Sequence, residues 1–545
     1  MFLALGEVGI ILLTIVAFVF ILGLIIAIHE GGHFFFAKRA GILCHEFSLG
    51  MGPVLYKKQF GETTFCIRAI PIGGFVSMAG EDVAEEVVKV GDKIGVNVVD
   101  NVVTEIILDD KRECQFRGEV ESIDLMGVNG EALYLTLTGG IQNQYFTVKR
   151  DAFYVFEKNK RLQITPYDRC FDSKTLWQRF ITIFAGPLMN LILAIFMYLI
   201  VAFIAGVPNS GSNKIGSISA HYPADGVLEA GDKIVAVEGI KTDSWNDFSK
   251  ELDKLYENNK TTVNLQINRD GSLIDVKLET ITYLASIGVS NIQAESYTPV
   301  KVPGFDEEGL ILGNVAVRYK NKEGNIKSGD IITKVKVDDQ IYDIESWGQL
   351  IGIFKDINIA DIQFEYYSLQ EDDTYKLVPV EDCKVIEPYT NEVLENQRIE
   401  KIQQMIGVTA TNHFDFFGCI GSAFSMFWDD FTLIFRTLKL LIAPSDVRQV
   451  GVSDLSSFVG IFAMLKQYVS AGFLAALSFG ALLSVNIGVV NLLPIPALDG
   501  SRVVFTLIEW IFRKPVPKKI EGVIHAVGLI ALLGFSILVD VLQLM

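Results

Sequence analysis

The stretch VGIILLTIVAFVFILGLIIAIHEGGH, Val8–His33, decides the reading of this chain. Its first 21 residues, Val8 to Ile28, carry no charge and are long enough to cross a bilayer as a helix. The apolar run ends on His29-Glu30-Gly31-Gly32-His33. In a helix, His29 and His33 stand one turn apart on one face, so both imidazoles can bind one Zn²⁺. Glu30 lies beside them, placed to take a proton from a water at that metal. Two histidines and a glutamate at the end of an apolar span are costly, and such groups are functional by default. The competing reading is a polar cluster at a helix end. Gly31 and Gly32 are tolerable in a membrane helix and would let another segment approach closely. MFLALGE ahead of the span lacks the basic region of a signal peptide, and no small-residue cleavage site precedes Lys38-Arg39.

Composition agrees. Of 545 residues, 50% are hydrophobic and only 21% charged, which argues against disorder and against an ordinary soluble enzyme with one core. Lys plus Arg number 47 against 65 Asp plus Glu, a net charge of −18, so nucleic acid is not an expected partner. Six cysteines (Cys44, Cys66, Cys114, Cys170, Cys383, Cys419) form no CxxC pair, and so mark neither a disulfide framework nor a zinc knuckle. Whether Cys383 and Cys419 pair is open. The balance is that of a membrane protein with sizeable soluble parts.

Three further apolar stretches follow: Phe180–Val207, Tyr468–Leu498 with internal Gly and Pro that predict an interruption, and Val523–Val539. Phe416–Trp428 has only 13 uncharged residues between Asp415 and Asp429, and reads as an interfacial helix. Lys38, Arg39, Lys57, Lys58 and Arg68 follow the first span, while Arg502, Arg513, Lys514, Lys518 and Lys519 lie between the third and fourth. Both loops are therefore expected on the cytoplasmic side, with both termini and the 208–467 region outside.

That outer region contains a near-repeat. Ala230-Gly231-Asp232-Lys233-Ile234-Val235 is followed by Trp245, a helical stretch and the alternating strand Thr262–Arg269. Gly324 to Ile332, with Ser328-Gly329-Asp330-Ile331, repeats the pattern ahead of Trp347 and a strand near Ile362–Tyr367. Each Gly-Asp step before a β-branched run is a turn into a strand. The spacing resembles the PDZ fold twice, over 209–282 and, in degenerate form, over 300–385. Residues 81–165 hold short alternating runs such as Leu133–Leu137, and predict a small acidic β-rich module with no chemistry of its own.

A catalytic zinc needs a third protein ligand and an open position. A metzincin would place Gly and His where Phe36 and Arg39 stand, so that class fails. His45 and Glu46 are too close to fold back easily, and Glu62 sits in a strand-like segment. Asp499 is the better candidate, because Asn491-Leu492-Leu493-Pro494-Ile495-Pro496-Ala497-Leu498-Asp499-Gly500 ends the third span on the same membrane side as His29. The prolines break the helix there and free backbone groups to line a site.

His29–His33 in a first span, with Asn491…Leu498-Asp499-Gly500 in a third, resembles the site-2 protease family of intramembrane zinc metalloproteases. Phe184-Ala185-Gly186-Pro187-Leu188-Met189-Asn190 is similar to that family's FAGPxxN element. Phe47–Pro53 and Ala69–Val76 are similar to its membrane-associated β-hairpin, and Pro166-Tyr167-Asp168-Arg169 after a long insert is most similar to the Gram-positive branch. Leu498-Asp499-Gly500-Ser501-Arg502 departs from the family's LDGGR by one small residue, and Ser457–Ile461 departs from its GPVGI.

The resemblance implies a polytopic α-helical membrane protein of the bacterial cell membrane. Its four transmembrane helices would be accompanied by a membrane-associated β-hairpin, a cytoplasmic β-rich insert and two extracytoplasmic PDZ-like α+β domains. The expected segments are 1–38, 45–80, 81–165, 178–207, 209–282, 300–385, 414–467, 468–500 and 523–543. One Zn²⁺ per chain would be held by His29, His33 and Asp499 near the cytoplasmic face, with Glu30 as general base. Asn491, Pro494 and Pro496 are implied in positioning the unwound substrate and Asn190 in packing or supporting the site, and an extended substrate segment could add as a strand to the hairpin around Gly73 and Gly74. The implied substrates are single-span membrane proteins pre-trimmed by a site-1 protease, such as an anti-sigma factor, or remnant signal peptides. A non-enzymatic PDZ scaffold would lack a ligand or the base, and all four are present. A metal transporter would want polar residues along its spans and two pseudo-symmetric halves.

Overall fold

The computed structural model describes residues 7–81, 87–139, 142–157, 160–292, 294, 296–315, 325–370, 372–391, 394–395, 399–442 and 458–544. Residues 82–86 of the predicted insert, Gly324 of the second repeat and residues 443–457 of the predicted interfacial region lie outside them. The chain forms two compact units, residues 1–198 with 458–538, and residues 199–457 with 539–545.

The first unit opens with α1, Glu7–Arg39. It is apolar all round until its last turns, the pattern of a helix with lipid or protein on every side. Strands β1 (Cys44–Phe60) and β2 (Thr63–Met78) follow. They are too long for a flat hairpin and fold over. Cys44–Leu49 pairs with Gly74–Met78 and also with Thr64–Ile67, which in turn pairs with Tyr56–Phe60. The bend needs Gly50, at φ +84°, because a side chain there would come within 2.6 Å of the Ile70 carbonyl. The Arg68 guanidinium ties the layers by bonding Glu46 at 2.5 Å and the Ser48 hydroxyl at 2.8 Å. Met51, Val54, Leu55 and Ile70 are left exposed, an apolar surface suited to a bilayer.

The insert forms β3 (Lys93–Val99), β4 (Val102–Ile107), β5 (Phe116–Asp124), β6 (Tyr134–Gly139), β7 (Gln142–Val155) and β8 (Arg161–Gln163). Antiparallel pairing runs β4-β3-β5-β6-β7-β8, and a parallel β4–β7 pairing closes the first five into a barrel. Leu133, Leu135 and Leu137 point into its core with Ile94, Val96 and Phe146, as strand alternation requires. The second apolar helix, α2, is Leu176–Ala205.

In the second unit, Lys233–Val237, Ile240–Lys241, Thr262–Arg269 and Ser272–Glu279 form one sheet with α3 (Trp245–Glu257). Ile331–Val337 centres another, with Ile362–Leu369 beside it and α4 (Trp347–Lys355) packed on a core of Trp347, Phe354 and Phe364. The chain then returns. Ile402–Met405 pairs with Ile281–Leu284, and Val408–Ala410 pairs with Ile215–Ile218. The second α+β module is thus inserted between strands that complete the first. A long helix, α5 (Phe416–Ile442), leaves Phe417, Phe424 and Trp428 exposed. All six cysteines are free.

The two modules treat their Gly-Asp turns differently. Asp232 accepts from Arg269, whose guanidinium holds the carboxyl below its usual range. Asp330 is fully buried and accepts instead from the amides of Lys327 and Leu369, at 2.8 and 3.0 Å. Burial outweighs those bonds and pushes the Asp330 carboxyl up to about 6. The folded module binds this proton more tightly than the unfolded chain. Its contribution is therefore full below about pH 4 and is lost as pH rises through about 6, a change on the order of 3 kcal/mol. Opening free energies of the Ile331–Val337 amides, from hydrogen exchange corrected for intrinsic rates, should fall over that window. A rise would contradict the assignment.

The chain re-enters the first unit as α6 (Phe458–Ala471), α7 (Phe473–Leu492), α8 (Asp499–Phe512) and, up to residue 538, α9 (Lys518–Leu544). Gly472, at φ +124°, separates α6 from α7, and Pro494 with Pro496 separates α7 from α8, so the predicted interruption falls at Gly and Pro. Among the described residues, four helices are long and apolar enough to span a membrane: Val8–Arg39, Leu176–Ala205, Phe473–Leu492 and Lys518–Ile537.

Candidate metal centre

The last turns of α1 carry His29 and His33 on the face turned toward α2 and the start of α8. Close approach of α2 is set by glycines. A Cβ at Gly32 would lie 2.5 Å from the Ala185 carbonyl oxygen, and one at Gly186 would overlap the His33 ring. Asp499 arrives from the other end of the chain as the first residue of α8, where the helix dipole favours a carboxylate. The entry turn is tight, with Ala497 at φ +76°, and a side chain at Gly500 would strike the Leu493 carbonyl.

These elements bring three ligand atoms together. His29 Nε2 lies 3.0 Å from Asp499 Oδ2, His33 Nε2 lies 3.3 Å from the same oxygen, and the two Nε2 atoms are 3.3 Å apart. Tetrahedral coordination with bonds of about 2.0–2.1 Å separates ligand atoms by about 3.3 Å. The donor set therefore fits Zn²⁺. The distal ring nitrogens fit it too. His33 Nδ1 donates to the Thr182 carbonyl at 2.8 Å, which leaves the Nε2 lone pair for a metal. Asn190 is wholly buried, with its amide nitrogen 3.1 Å from His29 Nδ1 and its Oδ1 without a partner among the described residues. With the amide turned end for end, Oδ1 accepts from His29 Nδ1–H and frees that Nε2 in the same way. The Ser484 hydroxyl donates to the Asn190 carbonyl at 2.7 Å and anchors this residue to α7.

Glu30 is buried beside the ligands and lines a cavity of about 360 Å³ with His29, His33 and Asp499. One wall is the Gly74–Met78 strand, whose outer side pairs with no other strand among the described residues. Gly74 abuts the base, since a Cβ there would lie 2.8 Å from Glu30 Cγ. Arg502 and Glu81 form an ion pair on the same lining, and Lys518 Nζ donates to the Gly80 carbonyl at 2.7 Å. The structure thus gathers Glu30, His29, His33, Asp499, Asn190 and Gly74, with Gly73 next to the wall. It does not bring Asn491, Pro494 or Pro496 into the described lining; Pro496 instead meets Gly528 on α9. Thr182, Gly186 and Ser484 were not singled out as site residues from the sequence, because a backbone carbonyl, a missing side chain and a lone hydroxyl leave no local pattern.

Two histidines and a glutamate at the end of an apolar helix, with a carboxylate brought beside them, are the donor set and base that a metallopeptidase of the membrane requires. The profile of Peptidase family M50 matches residues 17–535. A Staphylococcus aureus (strain N315) chain that bears a zinc metalloprotease name is 31% identical over 533 residues, 97% of both chains. Zinc metalloprotease RasP of Geobacillus kaustophilus is 29% identical over 96% of both chains, and RasP of Shouchella clausii 29% over 94% of both. The chain belongs to peptidase family M50, the site-2 protease family, and is a zinc metalloprotease of that type.

Proposed function

We propose that this protease cleaves a peptide bond in or near the membrane segment of single-span proteins, as the second cut after another protease has trimmed their outer part. The observation that carries the reading is the convergence of His29, His33 and Asp499 beside Glu30 in a cavity walled by a strand edge that pairs with no other strand among the described residues. One zinc, when bound, would supply Lewis acidity toward the scissile carbonyl and a water of lowered pKa. Glu30 takes the proton from the attacking water and returns it to the leaving amine. A substrate helix must first unwind, since its backbone is otherwise fully hydrogen-bonded. The Gly74–Met78 edge offers the amides and carbonyls that hold it extended, with Gly73 allowing the strand to turn.

By the distribution of basic residues, the site faces the cytoplasm, while both termini and the two PDZ-like modules lie outside. There the modules either exclude untrimmed substrates or dock the new C-terminus left by the first cut. Since Val408–Ala410 completes the first module, removing residues 209–410 as a block separates these roles. A filter predicts cleavage of untrimmed substrate, and a dock predicts loss of cleavage. An anti-sigma factor or a remnant signal peptide has the required single span.

Metal removal tests the reading. Purified protein in lipid nanodiscs should cleave a pre-trimmed single-span substrate, lose that activity when a chelator strips its zinc, and regain it on adding zinc. Cleavage that persists in the fully stripped protein would overturn it.

A further inference from the structure

An ionisable side chain in an apolar spanning helix is expensive and calls for a reason. His525 is such a residue, in α9. Its ring Nδ1 lies 3.2 Å from the backbone nitrogen of Ala497, so that amide donates to the ring's lone pair. Its Nε2 is buried without a hydrogen-bond partner among the described residues, and the Glu521 carboxylate one turn earlier stands 3.9 Å away. Gly528 continues the contact, because a Cβ there would lie 2.7 Å from the Pro496 carbonyl carbon. The 525/528 face of α9 therefore packs directly on the backbone of residues 496–497.

That backbone sets where Asp499 points. Ala497 occupies the left-handed region at φ +76°, which a residue with a Cβ adopts only at a cost in conformational energy. It joins a proline-broken segment to the first turn of α8. The residue preceding that helix is Leu498, which has no side-chain oxygen to cap it. Backbone bonds from the Ile495 amide to Leu493, from the Leu498 amide to Ile495 and from the Ser501 amide to Leu498 shape this turn, the Ser501 hydroxyl adds one to the Leu498 carbonyl, and the Ala497 amide itself is held by His525.

The geometry points to His525 as a positioning residue for proteolysis: it fixes the left-handed turn at Ala497 and so aims Asp499 at His29 and His33. This inference rests on Asp499 being a metal ligand. A hydrogen-bond acceptor at the place of Nδ1 suffices for the role. Asparagine can provide one, and leucine of similar bulk cannot.

The test measures zinc affinity by chelator competition, together with kcat and KM on a pre-trimmed substrate. His525→Leu should weaken zinc binding and lower kcat by about 10–100-fold, with KM nearly unchanged. His525→Asn should restore both to within about threefold of the parent. Ala497→Gly should recover most of the loss when combined with His525→Leu, because glycine takes a positive φ without strain. A space-filling role predicts none of this rescue. Unchanged zinc affinity and kcat in His525→Leu, an Asn variant as impaired as the Leu variant, or no recovery by Ala497→Gly would each overturn the inference. If His525→Leu does not fold, the Asn variant still decides, since a folded Asn variant with weakened zinc binding contradicts the role. Asp499→Asn is measured in parallel. Loss of zinc and cleavage there, with no effect of His525→Leu, removes only the positioning role, whereas an unaffected Asp499→Asn removes the ligand assignment beneath it.

Discussion

Replacing Glu30 with Gln should lower cleavage on the order of 10³-fold while the zinc content stays that of the parent. The side chain is buried on α1 next to His29, and Gly74 fits against its Cγ, so an amide of the same shape keeps the packing. The three converging ligand atoms belong to His29, His33 and Asp499, and Glu30 is not one of them. The substitution therefore removes proton transfer and leaves the metal's holders in place. Cleavage of a pre-trimmed single-span substrate and zinc by elemental analysis, on the same purified preparation, check it. Cleavage at the parent's rate would mean that another group moves the proton.

The second large effect comes from a residue with no side chain. Gly186→Ala should weaken zinc binding and cleavage by about 100-fold. The added methyl would occupy the space of the His33 imidazole. That ring is held by the Thr182 carbonyl at one nitrogen and faces Asp499 with the other. Nor can α2 slide along α1 to make room, since Gly32 already allows the Ala185 carbonyl to its limit. Zinc affinity by chelator competition, with thermal melting as a check on folding, reads the result. A variant with normal zinc affinity and cleavage would show that α1 and α2 separate more easily than their glycines indicate.

How much of this was legible in the sequence depends on the distance over which each feature is specified. His29 and His33 are four apart on one helix, and helical periodicity alone sets them on one face. Asp499 enters from a distant segment, so its candidacy rested on the order of the apolar spans, the shared membrane side and the broken helix at Pro494 and Pro496, and the family resemblance then agreed with it. Asn190 was legible only as a member of a motif; its contact with His29 depends on how α2 crosses α1. The fold-over of β1 and β2 and the parallel β4–β7 closure depend on which strands meet, which alternation does not specify. The return of Ile402–Ala410 to complete the first α+β module is likewise a pairing of segments separated by an entire domain. His525 carried a signal, a charge-capable residue in an apolar helix, but not its partner: a backbone amide has no sequence signature.

The central claim is that His29, His33 and Asp499 hold one zinc on which proteolysis depends. X-ray absorption at the zinc edge of the purified full-length protein, read with elemental analysis, tests it most directly. One zinc per chain is expected, bound by two imidazole nitrogens and light oxygen donors, with zinc lost in His33→Ala and in Asp499→Ala. A sulfur-containing shell, or zinc retained in full by both variants, would contradict it.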